Sequence, residues 1–354
     1  MKYILGELFC GPGGLALGAL NASITDSNGD KHVIEHGWAN DYHKDTCETY
    51  KYNLCNEKPE SVICCDVRKL NINNLSDIDG FAYGFPCNDF SNVGESKGLE
   101  GKFGSLYSYG LPILDRFKPK FFVAENVGGL GSSRQKEAFD QIQRELCKAG
   151  DGYNLTTHLY KSEMYGVPQQ RHRIIIVGIH NSLGKIFKVP APLITNPNEY
   201  KSVKDALEYP PIPKDAYNND LTKQSKIVVD RLSYIKPGEN VWNANLPEHL
   251  QLNVKGAKLS QIYRRLHPDK PSYTLTGSGG GGTHGYHWEY NRALTNRERA
   301  RIQTFPDDFV FIGSKESVRR QIGMAVPPML SRIIFEAILK TLHSIDYDYI
   351  DSKL

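Results

Sequence analysis

The sequence predicts an α/β fold, with a mostly parallel sheet and a second, smaller, loop-rich domain. Three observations carry the prediction. Over residues 1–185, short apolar runs alternate with helix-like stretches, the pattern of parallel strands joined by helices. Between 186 and 290 prolines cluster and periodicity fades, which marks loops and short strands. Beyond 290 helical spacing returns, with Leu330, Ile333, Ile334, Ala337, Ile338 and Leu342 on one face after Pro327-Pro328. The expected domains are 1–185, 186–290 and 291–354, the last completing the first.

Each element follows in order. Tyr3–Phe9 reads as a strand that runs into Phe9-Cys10-Gly11-Pro12-Gly13-Gly14-Leu15. Glycines there allow a tight turn and let backbone N–H groups approach a ligand. Their spacing is not that of the dinucleotide fingerprint. Asn40-Asp41-Tyr42 follows a short apolar run, and Ser61–Cys65 is a strand ending at Asp66-Val67. Residues 81–85, 120–124 and 173–178 are three further strands, with a helix from Gln135 to Ala149. Such sheets gather ligands at the carboxyl ends of their strands.

Composition sets bounds. The net charge of +3 does not by itself indicate nucleic acid. Residues 181–290 hold 14 Lys and Arg against 10 Asp and Glu, a weak basic bias that a solvated surface explains equally well. Seven cysteines with no Cys-x-x-Cys spacing fit a reducing compartment and argue against zinc. No stretch approaches the length of a membrane span, and the N-terminus opens in a strand. We therefore expect a soluble, cytoplasmic protein without a signal peptide.

The chemistry-bearing residues sit at strand ends. Phe81–Phe85 is followed by Pro86-Cys87-Asn88-Asp89-Phe90-Ser91, and Phe121–Ala124 by Glu125-Asn126-Val127. A thiol and an acid from neighbouring strand ends suit addition to an electron-poor ring. Taken alone, Cys87 reads rather as a buried small hydrophobe, the usual fate of a free cysteine, and Glu125 has the alternative of an ion pair with an arginine. Further on, Arg171 and Arg173 alternate with His172, so a strand would place both on one face. Gly277–Gly285 holds six glycines, which suit a linker or backbone lying against a ligand.

Together these segments resemble the DNA (cytosine-5) methyltransferase family. The nucleophile motif Pro-Cys-Gln-x-Phe-Ser stands here as Pro86 to Ser91, with Asn88 in place of Gln; the acid motif is Glu125-Asn126-Val127; Gln-x-Arg-x-Arg is Gln169 to Arg173. The resemblance implies a class I S-adenosylmethionine-dependent methyltransferase with a Rossmann-like sheet. Cys87 would add to cytosine C6, Glu125 would bond N3, and Arg171 and Arg173 would complete the catalytic set, with Arg173 holding O2. Phe9, Gly11, Gly13, Gly14 and Leu15 would form the S-adenosylmethionine loop, joined by Asp41, Tyr42, Asp66, Val67 and Pro86. Gln321 to Pro328 matches the family's last motif, with Met324 where Asn is common, and Met324 and Ala325 would complete that pocket. No metal is implied.

The resemblance extends to the DNA half. Tyr263 to Gly277 looks like the segment that closes the recognition domain, which implies DNA contacts at Arg264, Arg265, Thr274 and Gly277, with Asn88 and Ser91 from the nucleophile segment. Arg292 to Pro306 looks like the hinge helix returning to the first domain. The implied substrate is double-stranded DNA, its target base flipped out of the stack. A separate restriction endonuclease would be a genetic rather than physical partner, and the chain, bacterial or phage-encoded, would act as a monomer without a membrane. Two alternatives stay open: an RNA (tRNA) cytosine-5 methyltransferase, and a catalytically inactive DNA-binding regulator.

Overall fold

In the computed structural model, residues 1–85, 106–127, 136–253, 259–277 and 282–354 are described. In chain order the first elements are β1 (Lys2–Leu8), α1 (Gly14–Leu20), β2 (Ser23–Thr25), β3 (Lys31–Asp41), α2 (Lys44–Leu54), β4 (Val62–Cys64) and β5 (Gly80–Gly84). They continue with α3 (Leu111–Phe117), β6 (Phe121–Val127), α4 (Lys136–Lys148), β7 (Tyr153–Lys161), β8 (Gln169–Gln170), β9 (His172–His180) and β10 (Val189–Pro190). The rest are α5 (Val203–Glu208), α6 (Lys226–Ser233), β11 (Ser272–Tyr273), α7 (Asn296–Ile302), α8 (Lys315–Met324), α9 (Pro328–Leu342) and β12 (Tyr349–Ile350).

The chain packs as two units. One comprises Met1–Lys161, His172–Leu193 and Val326–Leu354; the other comprises Ser162–Arg171 and Ile194–Ala325. This division falls elsewhere than the expected boundaries after 185 and 290. Residues 291–325 belong to the second unit, because α7 and the segment around Leu294 share an apolar cluster with Val203, Leu207, Leu266 and Leu275.

The first unit is built on one sheet in the order β2-β3-β1-β5-β6-β9-β7, with β4 on β3. The pairs β3–β1, β1–β5, β5–β6 and β3–β4 are parallel. β2, β9 and β7 join antiparallel, so the sheet is mixed at both edges. The central strands are apolar on both faces: Phe81, Ala82, Tyr83 and Phe121 to Val123 are fully buried. Such strands belong under helices on either side. α4 exemplifies the covering layer, burying Phe139, Ile142 and Leu146 at helical spacing.

Register positions the site. β1, β3, β4, β5 and β6 all run the same way, so their carboxyl ends share one edge. β9 runs against them, and its first residues therefore reach that same edge, with Arg173 opposite Val127. Lys315–Leu342 has the length and hydropathy of a membrane span, contrary to the expectation from the sequence. It is two helices, α8 and α9, separated at Ala325–Pro327 and mostly buried within the protein.

In the second unit, β8 pairs with β11 in parallel, tying Ser162–Arg171 to the later segment. A capping box starts α5 at Ser202 and another starts α7 at Thr295. Each satisfies two backbone donors that a helix start leaves unpaired.

Candidate active site

The glycine turn after β1 needs its glycines. Gly11 and Gly13 have φ of 54° and 95°, and Phe9 shares the left-handed region at 52°. A methyl group on Gly13 would stand 2.3 Å from Leu54 Cδ1 and would have to displace it, and at that φ a side chain is strained whatever the space. At Gly11 a methyl would meet nothing within 4 Å. Gly14 and Leu15 open α1 and are buried.

Asp41, at the end of β3, holds this turn. Gly11 N donates to its Oδ2 at 3.0 Å and His43 N to its Oδ1 at 2.9 Å. Burial raises its pKa and these backbone donors offset part of the rise. Tyr42 is 74 % exposed, a ring open to stack. Asp66 follows β4 and accepts from Arg68 Nε at 2.9 Å and Nη2 at 2.5 Å. That pairing holds its carboxyl down to about 2. Val67 beside it is buried in the main core.

Beneath the turn lies a polar chain that sequence reasoning missed. Tyr50 OH donates to Glu7 Oε2 at 3.1 Å and lies 3.3 Å from His36 Nδ1; His36 Nε2 lies 2.8 Å from Ser61 Oγ. Burial holds Glu7 well above the usual carboxylate range and pushes His36 down to about 4, so the imidazole is neutral near pH 7. A Glu amid the apolar run Tyr3–Phe9 was the available signal.

The acid is presented by two neighbours. Glu125 on β6 pairs with Arg173 on β9, Nε to Oε1 2.8 Å, each side chain 12 % exposed. Gly84, opposite Glu125 in register, lies on the other side: a methyl there would be 3.1 Å from Oε2. Asn126 Nδ2 donates to the Phe85 carbonyl at 3.2 Å, fixing the backbone directly before Pro86-Cys87. The motif contained Asn126, but its task became visible only with the neighbouring strand in place. Pro86, Cys87, Asn88 and Ser91 lie outside the described residues.

The two arginines of Gln-x-Arg-x-Arg do not share a strand face. Arg171 falls in the break between β8 and β9, in the second unit, with no exposed surface. Its Nη2 donates to the Gly323 carbonyl at 2.9 Å. The expected DNA contact at Arg265 also needs correction. That side chain is buried and donates to the carbonyls of His287, Leu232, Ile235 and Tyr290 and to Asn291 Oδ1. All three of its nitrogens are thus bonded inside the unit.

Arg264 is partly exposed and lies over the Tyr273 ring, 4.4 Å from its centroid. Thr274 Oγ1 donates to the Gln170 carbonyl at 2.6 Å. Gly277 packs on α8, where a methyl would stand 2.9 Å from Arg320 Cα. Met324 is 56 % exposed and Ala325 is buried, its carbonyl accepting from Gln303 Nε2.

The sequence matches the profile of the C-5 cytosine-specific DNA methylases over residues 3–340. The chain belongs to that family. It is 56 % identical to Type II methyltransferase M.BbvI of Brevibacillus brevis, covering all of this chain and 95 % of that protein. It is 39 % identical to Type II methyltransferase M.NgoFVII of Neisseria gonorrhoeae, over 98 % and 88 %. Among solved structures, an E. coli prophage protein described as a DNA modification methyltransferase superposes with TM-score 0.71 at 23 % identity, covering 96 % of this chain and 99 % of that one. Entamoeba histolytica EhMeth superposes at 0.65 and 16 %, over 97 % and 98 %. These two likenesses speak for the fold.

This C-5 cytosine methylase is therefore a DNA (cytosine-5-)-methyltransferase of the restriction–modification type, with S-adenosylmethionine as methyl donor. The glycine turn fits such a donor, since open space lies against Gly11 and the carboxylate of Asp41 stands at the same strand-end edge.

Proposed function

We propose that this methyltransferase modifies C5 of a flipped-out cytosine within a short recognition sequence in duplex DNA, through a covalent bond between Cys87 and C6. Cytosine C5 is a poor nucleophile. Addition of the Cys87 thiolate to C6 gives an enamine, and C5 then carries the electron density. Bound S-adenosylmethionine supplies the electrophilic methyl group. Transfer to C5 leaves S-adenosylhomocysteine; loss of the C5 proton to water or hydroxide and departure of the thiolate then restore the aromatic ring and the enzyme.

The paired Glu125 and Arg173 carry this reading. An acid at a strand end, held by an arginine through Oε1, suits a bond to cytosine N3 as the thiolate adds to the ring. Arg173 suits the adjoining O2. The turn at Phe9 to Leu15, with Asp41, Tyr42, Asp66 and Val67, is the proposed cofactor pocket, completed by Pro86, Met324 and Ala325. Arg264, Thr274, Gly277, Asn88 and Ser91 are proposed contacts to DNA. The biological role is protection of host DNA from a separate restriction enzyme, and the working form is a cytoplasmic monomer.

Bisulfite sequencing of an unmethylated plasmid treated with the enzyme and S-adenosylmethionine tests the proposal. Protected cytosines should recur in one short sequence and vanish with Cys87→Ala. Methylation that survives Cys87→Ala would end the covalent reading. Methyl transfer to tRNA but not to plasmid would overturn the substrate.

A further inference from the structure

We propose that Arg299, together with Arg319 and His284, forms a pocket for one backbone phosphate of the bound DNA. The proposal rests on the enzyme acting on duplex DNA and adds a site within the second unit. Arg299 lies on α7 and is only 2 % exposed. A guanidinium keeps its charge in a protein, so a full positive charge is buried here.

Glu298 and Tyr273 act on that charge, but both are bonded to other groups. Glu298 is committed to Arg292 by two bonds of 2.7 and 2.8 Å and caps Thr295 N at 2.8 Å. The Tyr273 hydroxyl donates to the Arg264 carbonyl at 3.1 Å. Arg299 Nη2 has no hydrogen-bond partner among the described residues. A methyl on Gly285 would stand 3.7 Å from Nη2, 3.3 Å from the Tyr273 hydroxyl and 3.1 Å from Leu275 Cδ2, so a bare Cα at 285 borders the guanidinium.

Arg319 adds a second positive charge nearby, and Tyr273 and Glu298 act on Arg299 in the opposite sense. His284 is pushed down to about 4 by burial and by the cations Arg319 and Arg299. Burial, with Arg319 adding to it, lowers Arg299 to about 10. Glu316 acts on Arg319 and lies 3.7 Å from Arg320. A buried donor without an acceptor is costly, and a phosphodiester oxygen at Nη2 removes that cost. The planar guanidinium fork suits phosphate oxygens, and the contact would position the strand without reading its sequence.

The test is a scan of duplexes carrying one neutral methylphosphonate linkage at a time. With the wild-type enzyme, one linkage should weaken binding about tenfold. Arg319→Gln should weaken binding to unmodified DNA, lower the salt slope by about 1, and lose its response at that same linkage. Arg299→Lys, checked for folding by thermal melting, should do the same in part; if it does not fold, Arg319→Gln decides. Wild-type responses at every linkage in the folded variants would overturn the proposal. So would an unchanged scan combined with inorganic phosphate raising the Tm of wild type but not of Arg319→Gln, since the pocket would then take free anions. Failure of the wild type to bind any duplex would overturn the substrate reading itself, and this pocket with it.

Discussion

Arg173 Nε lies 2.8 Å from Glu125 Oε1 because β9 runs against β6, bringing the start of one strand to the end of the other. A parallel neighbour would have placed its own first residues at the opposite edge. The arginine thus fixes one carboxylate oxygen, while Oε2 faces the bare Cα of Gly84.

Glu125→Gln and Arg173→Ala should each lower the single-turnover methylation rate by roughly 10²–10⁴. The double variant should fall little further than the worse single, since residues acting as a unit are not additive. Independent, multiplying losses would contradict the shared role.

Asn126→Ala should lower kcat by as much as about 100-fold, because displacing a nucleophile by an ångström has that effect. The lost bond is the one to the Phe85 carbonyl. KM for S-adenosylmethionine should stay near wild type, which a steady-state titration at saturating DNA measures.

Arg171→Met should act on stability rather than on chemistry. It leaves the buried Gly323 carbonyl without its donor, a loss of about 1–3 kcal/mol. Thermal melting should show the drop. Activity measured well below the new Tm should stay within a few-fold of wild type.

His36, His158, His284 and His287 are each held down to about 4, chiefly by burial. The unfolded chain protonates its histidines near 6.5. It therefore binds more protons than the native chain between about 6.5 and about 4. Stability should be full above that window and fall as pH drops through it. Melting at pH 7 and pH 5, with proton uptake on unfolding, checks the sign.

Glu7 has the opposite sign. Its pKa is raised by burial, so its native proton is a benefit at low pH and a cost as pH rises past the unfolded value. Glu7→Gln keeps a bond to Tyr50 and removes that cost. Its Tm at pH 8 should exceed that of wild type by roughly 2 °C or more, and the gain should shrink at pH 5. A lower Tm at pH 8 would show that Glu7 is charged.

Much of the first unit was legible because its strands are apolar and end in glycine, aspartate or glutamate. β1, β4, β5, β6, β9 and α4 fall where the sequence placed them. β7 was missed because Tyr153–Lys161 alternates weakly, with four consecutive half-buried residues from Asn154 to Thr157. Glu125 and Arg173 were legible as residues, but their partnership depends on strand direction, which spacing does not encode. The burial of Arg171 and Arg265 was not legible for one reason: only the surrounding carbonyls reveal an arginine as internal.

The second unit is assembled from two stretches of chain, and the β8–β11 pair joins the short stretch to the long one. Any exchange of this region between related genes must therefore transplant both pieces. A single cassette spanning 194–325 would arrive with Ser272-Tyr273 facing a foreign Gln169-Gln170 strand, and Thr274 would have to find its carbonyl on a host residue. Recombination that moves this unit between genes is thus constrained by a two-residue strand.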